Sequence, residues 1–488
     1  MIGQYEVTNE EYKGFVNAGG YETTEFWEQA FVEDGDTLSW EEAMARFVDR
    51  TGRPGPSTWE VSDFPDGAGD FPVTGISWYE AEAFARYAGK ALPTAYHWYH
   101  AAGIGWGWVV VPASNLNGEA LSRVGEFRGL GPYGTLDMAG NAREWVFNSS
   151  GSRRFILGGA WNDPTWALVG AQAAPPFDRS ETNGVRLASF LGDTADLSIT
   201  TRPIDRTSRN FAQETPVPDE IFSIYQRMYA YDDAPLNVVL ESVDTTADWF
   251  HEQVTFDAAY RPERVILHLF LPRQHNPPFQ TVVYFPGSGA VTQRAFEGHG
   301  ALRFHVPFVV KSGRAFAFPL YKSTFERGDG YEYRRQDGSN THRDHVIQWG
   351  KDLKRSIDYL TTRSDIDSDG LAYFGYSWGG MMGGLMLAIE PRLRTGILYV
   401  AGFSTLPVQP EADPFNFVSR VSVPVLMLNG RYDYVFPLET SATPMFEMLG
   451  TPVEHKHHII SEGGHFVPHT QLVRESLAWL DRYLGPVR

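Results

Sequence analysis

A chain of 488 residues is long enough for two domains, each burying its own core. Its 60 acidic against 41 basic residues leave a net charge of −19, which opposes binding to nucleic acid and favours solubility. The absence of cysteine excludes disulfides and thiolate metal sites without identifying a compartment. No apolar run approaches membrane-spanning length, and the N-terminus lacks the basic-then-apolar pattern of a signal peptide. The first 190 or so residues show little helical periodicity and scatter Gly, Trp and Tyr through turn-rich segments. Successive motifs are Tyr5 to Tyr12, Phe71 to Ala81, Leu92 to Trp98, Gly134 to Trp145, Gly158 to Trp161 and Asn183 to Arg186. The expected first domain is therefore 1–193.

Thr194 to Asp219 is polar, carries Pro203, Pro216 and Pro218, and has no sustained apolar period, so 194–235 reads as a linker. Glu220 to Tyr231 within it reads as a helix bridging the domains. From 236 to 488 the pattern changes. Asn237 to Val243, Glu252 to Asp257 and Arg264 to Leu271 are strand candidates of a mostly antiparallel start. Gln280 to Phe285 is a further strand. It runs into Pro286-Gly287-Ser288-Gly289-Ala290, and Tyr321 to Thr341 is a candidate for shaping a substrate mouth. Asp344 to Arg363 is an amphipathic helix, with Val346, Trp349, Leu353, Ile357 and Leu360 at spacings of three and four. Strands alternating with helices after residue 280 predict a mainly parallel sheet covered on both faces.

The most informative pattern is Gly375-Tyr376-Ser377-Trp378-Gly379, between the apolar strand Leu371 to Phe374 and a helix around Met381 to Ala388. A serine on such a sharp strand-to-helix turn exposes its hydroxyl, and the flanking glycines avoid collision. The serine needs a base and an orienting acid. The strand Val423 to Asn429 leads to Asp433, and the strand His455 to Ile460 leads to His465. The order Ser377, Asp433, His465, at separations of 56 and 32 positions, predicts a serine–histidine–aspartate triad. Trp378 N–H at the helix start supplies one oxyanion donor, and Ser288 N–H the other, with Gly289 second. Asp413 is a rival acid in a loop before its strand. His469 is expected to cap the final helix, Thr470 to Tyr483. His455, His457 and His458 alternate along a strand, without a carboxylate or cysteine spaced to complete a metal site.

Residues 236–488 resemble the α/β-hydrolase superfamily, near its dienelactone-hydrolase and acyl-peptidase-like esterases. The N-terminal motifs, in their order, resemble the formylglycine-generating sulfatase-modifying family, whose fold is irregular α+β and C-type-lectin-like. That family's oxidase chemistry uses two copper-binding cysteines. Gly159-Ala160-Trp161-Asn162-Asp163-Pro164 stands in that region, so sulfatase activation is excluded. A relative uses histidines and iron for sulfur transfer, but His97 and His100 read as core or surface residues of a helix start. Asn141 and Glu144 match a family calcium segment and offer the oxygen ligands of a structural calcium. The first domain thus reads as a scaffold or binding module.

The expected activity is that of a serine carboxylesterase acting on small acyl esters, without a required cofactor. Acyl-peptide or peptidase-like hydrolysis, and a non-catalytic sensor or interaction module, are the alternatives. The expected partners are a small-molecule ester and either upstream domains or a second copy, with no nucleic acid and no membrane insertion. The first motif begins only four residues after Met1, which points to a truncated or alternatively started piece of a longer protein. The tandem pair resembles the C-terminal part of some bacterial membrane-attached protein kinases, so the compartment is open between cytoplasmic and extracytoplasmic.

Overall fold

The computed structural model describes residues 1–487 apart from 34, 191–196, 205–208, 261 and 332–337. It divides into two compact units, Met1–Arg206 and Thr207–Arg488.

In the N-terminal unit the helices start where local hydrogen bonding closes. Thr8 and Glu11 form a capping box for Asn9–Asn17, and Ser77 and Glu80 do the same for Trp78–Tyr87. Both helices bury aromatic rings, and Tyr12 packs 5.0 Å from Phe84. A four-stranded sheet runs in the order Gln172–Ala174, Arg153–Leu157, Arg143–Ser150, Asn183–Val185. Its last pair is parallel and the others are antiparallel. Short strands, short helices and long turns give the irregular α+β architecture that the sequence predicts.

The C-terminal unit is built on a nine-stranded sheet. Its first six strands run parallel, in the order Lys456–Ser461, Val425–Gly430, Thr395–Tyr399, Ile366–Tyr376, Phe279–Phe285, Ala315–Leu320. Arg264–Pro272, Trp249–Asp257 and Val239–Thr245 then add successively antiparallel. Alternate side chains enter separate cores, so Val283 and Phe285 lie in one and Val282 and Tyr284 in the other. This is the doubly covered, mainly parallel α/β-hydrolase sheet. Chain order reverses between Phe279–Phe285 and Ile366–Tyr376, which makes the crevice at their C-terminal ends a topological switch point. The register pairs Phe285 with Gly375 and Tyr376 with Tyr399, so these strand ends are level.

Several element boundaries differ from expectation. Ala315–Leu320 and Thr395–Tyr399 are central strands that alternation does not reveal, because every residue in them is buried. The amphipathic helix begins at Asn340, four residues early, because Ser339 caps it by accepting a hydrogen bond from His342 N–H. The proposed mouth segment, 321–341, lies partly outside the described residues. The expected linker and bridging helix also need correction. The helix Asp219–Met228 belongs to the C-terminal unit, where Phe211, Phe222 and Tyr229 are buried against Phe403, Phe415 and Phe417. Isolated aromatic anchors at irregular spacing carry no periodic signal, so this packing is invisible to a search for helical stripes.

Candidate active site

Ser377 stands at the end of the central strand Ile366–Tyr376, with φ +53° and ψ −107°, and the next residue opens the helix Trp378–Ile389. A non-glycine residue rarely holds this conformation, and here the surroundings impose it. Ser377 N–H donates to Tyr399 O at 2.9 Å, and Gly379 N–H to Pro286 O at 3.0 Å. Neither flanking glycine can carry a side chain. A Cβ on Gly375 would meet Gly379 O at 2.2 Å, and one on Gly379 would meet Phe285 O at 2.2 Å. The helix must therefore press against the strand, which lifts the serine out of the sheet. Trp378 reaches back into the core, its ring 4.8 Å from Phe285 and 4.6 Å from Trp349.

The structure brings Ser377, His465 and Asp433 together. Ser377 Oγ lies 2.8 Å from His465 Nε2. His465 Nδ1 lies 2.9 and 3.0 Å from the two oxygens of Asp433. Asp433, itself buried, accepts at Oδ1 from the N–H groups of Val435 at 2.8 Å and Phe436 at 3.1 Å. A carboxylate at Nδ1 keeps the proton there, leaving Nε2 free to accept from the serine. Tyr376, beside this charge, has its phenol pushed up to about 12, first by burial and then by Asp433. The two N–H donors that hold Asp433 are missed by the sequence reading. Their only signal is an aspartate able to bond its own backbone two residues on.

Ser288 and Gly289 begin the turn after Phe279–Phe285, Ser288 preceding the short helix Gly289–Thr292. At such a start the first N–H groups have no intrahelical acceptor. A Cβ on neighbouring Gly287 would stand 3.6 Å from Ser377 Cβ, so this turn lies against the serine. The rival acid Asp413 is engaged elsewhere, 2.7 Å from Arg209. His469 opens the final helix, His469–Leu484, and its Nε2 donates to Phe304 O at 2.9 Å. His455 Nδ1 is 3.1 Å from Tyr483 Oη, and His458 Nε2 is 3.1 Å from Asn429 Oδ1. No cluster of three His, Cys, Asp or Glu side chains able to hold a metal occurs among the described residues.

Asn141 and Glu144 do not fit a calcium. Both are fully buried, and Arg186 takes both Glu144 oxygens, at 2.6 Å from Nη2 to Oε1 and 3.0 Å from Nε to Oε2. Trp98 Nε1 adds a donor at 2.6 Å. Asn141 Oδ1 accepts from Ser122 N–H and Oγ, both at 2.9 Å. A cation would displace a buried ion pair whose guanidinium already supplies the positive charge. His97 and His100 lie on the helix Ala95–Ala102, where His97 Nδ1 is 2.6 Å from the capping Thr94 Oγ1 and His100 stacks on Tyr133.

Fold and site together define the C-terminal unit as an α/β-hydrolase carrying a serine–histidine–aspartate constellation. Residues 338–486 match the PET hydrolase-like family, and residues 1–190 match the sulfatase-modifying factor enzyme 1-like domain. The bis(hydroxyethyl) terephthalate hydrolase of Streptomyces coelicolor is 28% identical over 156 residues, covering 30% of this chain and 46% of that protein. The hercynine oxygenase of Mycolicibacterium thermoresistibile is 26% identical over 240 residues, covering 39% of this chain and 49% of its own. The formylglycine-generating enzyme of Bos taurus is 32% identical over 177 residues, covering 29% and 46%. The chain thus spans about half the length of these curated relatives.

Proposed function

We propose that this protein is a serine carboxylesterase whose nucleophile is Ser377. The reading rests on one observation above the rest: Ser377 Oγ, on a strained elbow, lies 2.8 Å from an imidazole whose other nitrogen faces a buried carboxylate. His465 takes the serine proton as Oγ attacks the ester carbonyl. It then gives that proton to the departing alcohol, and Asp433 stabilises the imidazolium. Trp378 and Ser288 N–H groups receive the oxyanion. Water, deprotonated by His465, releases the acid. The route needs no metal or organic cofactor. The resemblance to ester hydrolases supports this class of substrate, and residues 1–190, lacking the cysteines of copper chemistry, are assigned a scaffold or binding role.

Pre-steady-state hydrolysis of 4-nitrophenyl acetate tests the reading. A nitrophenolate burst stoichiometric with protein, absent in Ser377→Ala, is expected of an acyl-enzyme. Equal release by both proteins would remove Ser377 from the chemistry.

A further inference from the structure

Beside the triad, on the face of the sheet that carries Tyr284, lies a cavity of about 470 Å³. Neither Ser377 nor His465 lines it, but their immediate neighbours do. Tyr376 precedes the serine and Phe466 follows the histidine, and their rings stack 6.2 Å apart. Tyr399, whose carbonyl holds Ser377 N–H, forms another part of the wall. The floor carries Tyr284 Oη, 2.9 Å from His305 Nδ1. Phe304, half exposed, and Phe466, exposed, stand at the rim.

The wall is made of aromatic, imidazole and aliphatic groups. No Asp, Glu, Lys or Arg occurs among the described residues that line it. Burial holds the His299 imidazole down at about 4 and that of His305 at about 3, so both are neutral near pH 7. Such a space rejects a carboxylate or ammonium and accepts an uncharged ring, with the Tyr284–His305 pair offering a hydrogen bond at depth. Its volume suits a group of one or two fused rings.

Position decides which half of an ester it serves. In acyl transfer the histidine passes its proton to the departing alcohol, so the alcohol must stand on the histidine side. The segment directly after His465, namely Phe466, Val467 and His469, forms one side of the cavity. We infer that the cavity is the leaving-group pocket and that the preferred substrates are esters of an uncharged aromatic alcohol. This assignment rests on the esterase reading above. Ser377 Oγ bonds the acyl carbon, the bond from that carbon to the alcohol oxygen breaks, and the proton taken from Ser377 leaves on the alcohol. Water completes the cycle and releases the acid.

Two isomeric esters test the assignment directly: 2-naphthylmethyl acetate puts the rings on the alcohol, and methyl 2-naphthylacetate puts them on the acyl group. After correction for their hydroxide rates, kcat/KM is expected to favour the first by about tenfold or more. Gly300→Phe should collapse that ratio. Gly300 lines the cavity at an exposed position, and a Cβ there would meet nothing closer than Phe304 Cδ2 at 3.8 Å. Product inhibition of the unmodified protein is a second measurement, in which 2-naphthylmethanol should inhibit at lower concentration than 2-naphthylacetate. A ratio of one or below, or stronger inhibition by the acid, overturns the assignment while esterase activity persists. A ratio that Gly300→Phe leaves unmoved also overturns it. Failure to hydrolyse either isomer, with no uptake of a fluorophosphonate label, would instead overturn the esterase reading, and the leaving-group role with it.

Discussion

At the scale of single residues, the site is an arrangement of three side chains held in place by backbone constraints. Ser377 is held at φ +53° by hydrogen bonds on both sides of the elbow, and Asp433 is fixed by two N–H groups of its own loop. Asp433→Asn should leave the fold intact and lower kcat by roughly 10⁴, because an amide at His465 Nδ1 favours the wrong tautomer. Steady-state kinetics beside a circular dichroism spectrum check this, and an unchanged kcat would remove Asp433 from the triad. These three residues were legible because each follows an apolar strand in a recognisable order. The donors to Asp433 were not, since backbone N–H groups leave no mark on residue identity. Nor was the fate of Glu144 legible: its chemistry fits calcium, but its partner Arg186 lies 42 residues away in sequence.

At the scale of elements, strand ends and helix starts meet at tolerances that side chains reveal. Gly379→Ala would drive a Cβ into Phe285 O, and overpacking of this kind costs about 1–3 kcal/mol or more. Urea unfolding should show that loss, and an alanine variant of native stability would contradict the packing described for the elbow. The helix Asn340–Thr361 is tied to the loop after Ala315–Leu320 by a second constraint. Buried Asp352 accepts from Arg327 Nη1 at 2.6 Å, Tyr260 Oη at 2.6 Å and Lys322 N–H at 2.8 Å. Removing the carboxylate in Asp352→Ala leaves buried Arg327 with only the more distant Glu263 carboxylate, 3.5 Å away, and strips the acceptor from Tyr260 and Lys322 N–H, for an expected loss of about 1–3 kcal/mol. A calorimetric Tm within a degree of the parent protein would contradict it. Periodicity revealed this helix but not its cap, because Ser339 lies two turns ahead of the first apolar residue of the stripe. The central strands Ala315–Leu320 and Thr395–Tyr399 escaped notice for the opposite reason: buried on both faces, they have no alternation to detect.

At the scale of the molecule, the division into two units followed from a change of pattern near residue 200. Its details did not, because Phe211, Phe222 and Tyr229 join the C-terminal core from a segment that reads as a polar linker. The C-terminal unit also buries histidines whose imidazoles are held down, His268 and His305 at about 3 and His299 and His458 at about 4. Burial is the first cause in each. The unfolded chain takes up these protons below the ordinary value of 6.5, while the folded unit does not. Stability is therefore retained above about pH 6.5 and falls as pH drops toward 4, by up to about 1.4 kcal/mol per pH unit for each group. Urea midpoints measured from pH 7.5 to 4.5 should decline through that window, and a flat profile would contradict the burial of these rings. The most direct test of the whole account is reaction of the purified chain with a fluorophosphonate, read by intact mass. A single adduct that Ser377→Ala abolishes is predicted. A folded protein that takes no label, or an adduct that persists in the alanine variant, would contradict the central claim that Ser377 is an activated nucleophile.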